Sequence, residues 1–275
     1  MFAPVFAAVM RQVDHARIRS VVVTGLVVGL LAGLASALLH AFVGEPLLRD
    51  AIALEDAGAV ATSGQLVGGT EPELISRSVQ SGLGLFVAMG LSGAVFGLLF
   101  ACVFWGLRSA QPQPFRRALW AGMILFGSIT LAPWLKYPPN PPGVGDPESI
   151  GRRQGLYVSL IALSLAFAIL GVALAGLLRR RDWPEHRRTA AVALATAVAF
   201  GAALALLPPA PDQVDAPATL IWRFRLASLA GSALLWGLLT TGFGLLACEG
   251  SRLRCAEVAQ RSSAAEGTEH VEQHC

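Results

Sequence analysis

The chain has 275 residues, 54% of them hydrophobic and only 14% charged, with a formal net charge of +3. Soluble domains carry about 25% charged residues, and the mean hydropathy here is +0.59. This balance excludes an ordinary soluble domain and places the chain in a bilayer.

Six uninterrupted apolar runs, each of 18 to 26 residues, fall at 20–43, 82–107, 118–135, 154–178, 189–207 and 226–247. About 20 such residues cross a bilayer as a helix. The expected fold class is an all-α integral membrane protein, a bundle of about six transmembrane helices. It is flanked by an N-terminal segment, 1–19, and a tail, 248–275.

In the first run, Arg17 and Arg19 precede the apolar residues and Ala35-Ser36-Ala37 has the look of a cleavage site. The run continues through Val43, too long for a signal-peptide core, so an uncleaved span is expected. Gly25, Gly29, Gly33, Ala37 and Ala41 recur every four residues. That spacing puts them on one helix face, as a groove for a close neighbour. His40 lies near the outer end, and Glu45 follows Gly44. Imidazole and carboxylate together suit Co²⁺, Ni²⁺ and Zn²⁺. On an unbroken helix five residues leave the pair about 140° out of alignment. Both therefore reach one ion only if Gly44-Glu45-Pro46 breaks the helix, which a proline favours. A single interfacial histidine bonded to a neighbour is the plainer alternative.

Residues 47–57 read as a short helix carrying the adjacent acids Glu55 and Asp56. These point about 100° apart, so they serve one metal only through waters or with one residue off-axis, or else form a solvated acidic face. The second span repeats the small-residue device with Gly93, Gly97 and Ala101. The third is the shortest, with Pro133 near its end. After it comes a loop, 133–153, holding six of the 16 prolines, the sole lysine (Lys136), Asp146, Glu148 and the pair Arg152 and Arg153. Prolines give its first half a stiff, polyproline-like path. Lys136 and Tyr137 suit an interfacial anchor; Asn140 offers a carbonyl to a partly hydrated ion. Arg223 and Arg225 sit at the mouth of the last span, as Arg152 and Arg153 sit at the mouth of the fourth. Such arginines snorkel to headgroups or pair with carboxylates, here locking the loop or gating the entry. His270, His274 and Cys275 could hold a transition metal, but the tail around them is polar and reads as disordered.

Fourteen of the 21 basic residues fall in 1–19, 108–117, 179–188 and the tail, and seven fall in the other loops. The excess marks the first side as cytoplasmic, with both termini inside. Arg179-Arg180-Arg181 and Arg187-Arg188 then serve topology and lipid headgroups, with no nucleic-acid role. Ten acids on the outer side leave it at −3, which concentrates cations. No nucleotide-binding or nucleophile motif is present, so neither an enzyme nor ATP-driven transport by this chain alone is expected. No His, Asp or Glu lies near the middle of any span, although ion pathways ordinarily carry such residues.

The segment LKYPPNPPGVGDPESIGRR, 135–153, resembles the corresponding part of the CbtA family, cobalt transporter subunits of bacterial inner membranes. Phe42–Leu48 with Ala51–Asp56, Ile75–Gly82 and Ile221–Leu229 are similar to that family in compatible order. The likeness runs from about residue 20 to 247. It implies a permease subunit for a divalent metal, with Co²⁺ as cargo and no resident cofactor. It also implies a partner, a small single-span CbtB-like subunit bearing a histidine motif. A non-transporting membrane scaffold is the alternative.

Overall fold

The computed structural model describes residues 3–63, 79–141, 149–209 and 216–272, and the side chains of 17–55, 57, 79, 82–141, 149–209 and 216–250. Helix α1 (Ala3–Leu39) runs through a wide π-helical turn (His40–Gly44) into α2 (Glu45–Ser63). A second wide turn (Gln80–Gly84) opens α3 (Leu85–Gly106), which ends in a 3-10 turn (Leu107–Ser109). Helix α4 (Pro114–Leu125) passes through a third wide turn (Phe126–Leu131) into α5 (Ala132–Lys136). Helices α6 (Ile150–Arg180), α7 (Glu185–Leu206) and α8 (Ala218–Glu272) complete the chain, and no strand occurs among the described residues.

Six helical stretches are long and apolar enough to cross a membrane: Arg17–Glu55, Gly82–Ser109, Pro114–Lys136, Ile150–Arg180, Glu185–Leu206 and Ala218–Gly250. They correspond one for one to the six apolar runs, and the protein is a multi-pass helical membrane protein. The short third run gains its length at the start, where Pro114 takes the first helical turn. That position lacks an intrahelical partner for its N–H anyway.

One expectation is corrected here. Gly44-Glu45-Pro46 does not break the helix; α1 and α2 are continuous. In the intervening turn the Glu45 N–H donates to the His40 carbonyl, five residues back. A proline ring ordinarily strikes the carbonyl four residues earlier, and the widened turn just before Pro46 gives it room. The same arrangement recurs at Pro133, again the second residue after a wide turn. In both spans a proline that would stop a regular helix is carried through.

The two small-residue stripes meet each other. A Cβ added at Gly25 would strike the Gly97 carbonyl, one at Gly29 the Gly93 carbonyl, and one at Gly33 the Met89 carbonyl. Here α1 and α3 touch backbone to backbone, which only glycine permits. Helix α8 packs on both α1 and α4, and the main core forms where the four meet. It centres on Phe100, Phe104, Leu125, Leu235, Trp236, Leu239 and Phe243. Phe243 packs at a tilt against Phe100 and edge-on against Phe104, at 5.1 and 4.7 Å between ring centroids. Trp236 donates to Thr130 Oγ1 at 3.0 Å, tying α8 to the third wide turn. A smaller cluster of Leu47, Ala51, Leu220 and Ala227 fastens α2 to the start of α8.

Helices α6 and α7 pack on each other at the side of this core, and their apolar windows are only 11% and 6% buried inside the protein. Helix α6 closes at Asp182, whose φ of 55° is left-handed, a conformation aspartate tolerates better than most residues. The backbone of α8 continues as helix to Glu272, into the segment whose composition reads as disordered.

Candidate functional site

The wide turn at the end of the first span changes how His40 and Glu45 relate. In a π-type turn residues five apart are hydrogen-bonded turn neighbours, so the pair is brought together along the backbone without a break. Their side chains, however, take different partners. The imidazole lies between two glycines: a Cβ at Gly44 would come within 3.2 Å of His40 Nδ1, and one at Gly231 of α8 would collide with Nε2. One turn earlier, the buried Ser36 hydroxyl donates to the Gly231 carbonyl at 2.9 Å. The Glu45 carboxylate, whose side chain is 11% exposed, accepts from Arg49 Nε at 3.4 Å.

Asp50 and Arg223 lie across a shallow cleft of about 420 Å³ between α2 and the start of α8, with Leu54 and Thr219 on its walls. Glu55 is exposed further along α2. The side chains of Asp56, Asp146 and Glu148 lie outside the described ones, as do those of His270, His274 and Cys275. Among the described residues, no three His, Cys, Asp or Glu side chains gather where they could hold one metal ion.

The proline-rich loop is tied down at its start. Lys136 Nζ donates to the Leu204 carbonyl and the Tyr137 hydroxyl to the Pro208 carbonyl, both at 2.7 Å. Both acceptors lie at the exit of α7, so the end of the third span is fixed to the end of the fifth. Burial pushes the Tyr137 phenol above its ordinary value, which keeps it a donor. Arg225 Nη2 donates to Asn140 Oδ1 at 2.7 Å. Trp134 Nε1 donates to the Arg225 carbonyl at 3.2 Å and its ring stacks on Trp222, 6.5 Å away. The loop is thus joined to the mouth of α8 as well. Arg152 is exposed, Arg153 is half-buried and engaged, and Arg223 faces the cleft with Asp50 rather than Asn140.

Five contributors had no sequence signal as site residues. Ser36 stands one helical turn before His40, and Gly231 belongs to a small-residue pair that reads only as packing. The carbonyls of Leu204 and Pro208 belong to the backbone, which no residue type announces. Trp134 reads as an apolar residue of the span, yet its indole N–H joins the loop to α8.

The chain therefore carries a polar mouth at one end of an apolar bundle, where Trp134, Lys136, Tyr137 and Asn140 are hydrogen-bonded to the neighbouring helix ends. No curated protein and no solved structure matches it. A family model does match, over residues 18–248, and that interval takes in nearly all of the six spans and the whole mouth. The chain belongs to the CbtA family, described as a probable cobalt transporter subunit.

Proposed function

We propose that the chain is the bundle-forming subunit of a bacterial inner-membrane permease that carries Co²⁺ into the cell. The single observation behind this reading is the family match over 18–248. The chemistry of the mouth supports it. Acidic outer loops carrying Glu55, Asp56, Asp146 and Glu148 raise the local cation concentration. His40 and Glu45, brought onto one wide turn, offer nitrogen and oxygen ligands of the kind such ions take. Lys136, Tyr137, Asn140 and Arg225 fix the start of the loop at the mouth, while Arg152, Arg153 and Arg223 balance the acids of the outer side.

The scarcity of ligands deeper in the bundle points to a second chain. Among the described residues no cluster of three ligating side chains exists, and the family is described as a subunit. A small single-span CbtB-like protein with histidines would supply what the bundle lacks. The same scarcity favours one rival, a membrane scaffold that does not transport.

Uptake of radiolabelled Co²⁺ in cells without other cobalt importers separates the two. The chain alone, the chain with its partner, and the pair carrying Glu45→Gln are compared. Uptake that needs both chains and falls in the variant is the expected result. No uptake in either wild-type arm, with both proteins present in the membrane, would establish the scaffold or another cargo.

A further inference from the structure

We propose that the turn between α3 and α4 is a binding site for the headgroup of an anionic phospholipid, built from Arg108, Arg117 and Arg179. Three guanidinium groups from three helical segments are fixed around one short stretch, residues 105–112. Arg117 donates from Nε to the Gln111 carbonyl at 2.7 Å and from Nη2 to the Pro112 carbonyl at 2.8 Å. Arg108 Nη1 donates to the Trp105 carbonyl at 3.1 Å, and Arg179 Nη1, from the end of α6, to the Ser109 carbonyl at 3.2 Å. Two of the cations also lie over rings, Arg117 over Phe104 at 4.8 Å and Arg108 over Trp105 at 4.7 Å.

None of the three has a carboxylate partner among the described residues; every contact they make is to a neutral carbonyl or a ring. Arg108 and Arg117 are near enough for their like charges to repel. Among the described residues, orientation is thus provided while charge is left unbalanced. A guanidinium has five N–H donors in a planar fork, and these contacts use one or two of them. The remaining donors are held in place before any ligand arrives, so less side-chain entropy is lost on binding. The anion matched to such forks is phosphate.

Its source is the membrane. The stretch follows directly from the apolar α3, and the exposed Leu119 and Trp120 of α4 lie within one turn of Arg117. A lipid phosphate placed here has its acyl chains on apolar helix faces, and tryptophans such as Trp105 and Trp120 favour headgroup depth. This site does not depend on what the bundle transports.

The test uses the full chain purified in neutral detergent and titrated with phosphatidylglycerol, phosphatidylcholine or inorganic phosphate, with bound lipid counted by native mass spectrometry. Phosphatidylglycerol is expected to bind in preference to phosphatidylcholine, and inorganic phosphate to compete poorly. Arg108→Gln and Arg179→Gln should each weaken that binding about fivefold, whereas Arg49→Gln, at the opposite end of the bundle, should not. Equal retention of both lipids, or unchanged binding in a double variant carrying Arg108→Gln and Arg179→Gln, would overturn the proposal, as would full displacement by inorganic phosphate. If the double variant does not purify, Arg108→Gln alone carries the test, because Arg108 is exposed and its contacts stay within its own turn.

Discussion

His40 is held by the absence of side chains on both sides of its ring, and that makes Gly231 the residue to change. A methyl group there would collide with Nε2, so the ring would have to move out of its slot. Overpacking of this kind costs about 1–3 kcal/mol. Gly231→Ala should lower the melting midpoint in detergent, and adding His40→Ala should restore most of the loss. Simple additivity of the two would show that the ring does not sit in this slot. At the loop, Tyr137→Phe removes one partly buried hydrogen bond to the Pro208 carbonyl, a loss of about 0.5–1.5 kcal/mol. The phenol's folded-state pKa lies above its ordinary 10.0, so its contribution is complete below that value and is lost only as pH rises through the folded one. The gap in melting midpoint between wild type and Tyr137→Phe should therefore be the same at pH 6 and pH 9.

Between elements, the tightest joint is the backbone contact of α1 with α3. A side chain at Gly93 has no room, since it would meet the Gly29 carbonyl and the Gly33 backbone, neither of which can rotate away. Gly93→Leu should destabilise the bundle by about 3 kcal/mol or more. Gly176→Leu, on α6 where nothing lies within 4 Å of the added Cβ, should leave melting in detergent nearly unchanged. Equal effects at the two positions would mean that the stripes do not pair. These stripes were legible in the sequence, because a four-residue period of small residues is itself the packing signal. The spans were legible for the same reason, as continuous apolar length. The wide turns were not. Pro46 reads as a break when helical bonds are counted four residues back, Pro133 reads only as a proline near the end of the third span, and a five-residue bond leaves no mark in composition. Nor could the sequence show that Lys136 and Tyr137 bond to carbonyls about 70 residues away, since backbone acceptors are the same at every position. At the mouth it therefore supplied the residue types but not their partners.

For the whole molecule, orientation decides which end is the entry. The bundle has a mouth holding His40, Glu45, Asp50, Asn140 and Arg225, and an opposite end holding Arg108, Arg116, Arg117 and Arg179 through Arg181. With fourteen of 21 basic residues in the segments of the second end, the bias in Lys and Arg predicts that this end faces the cytoplasm. The mouth would then face outward, where a cation arriving from outside meets the acids first. Labelling of single cysteines tests this directly. With Cys102, Cys248, Cys255 and Cys275 replaced by serine, a cysteine is introduced at Ser109 in the α3–α4 turn or at Ser149 beside α6. A membrane-impermeant maleimide applied to intact spheroplasts should label Ser149→Cys and spare Ser109→Cys until the membrane is opened. The reverse pattern would turn the bundle over, place the mouth in the cytoplasm and make export the direction to measure.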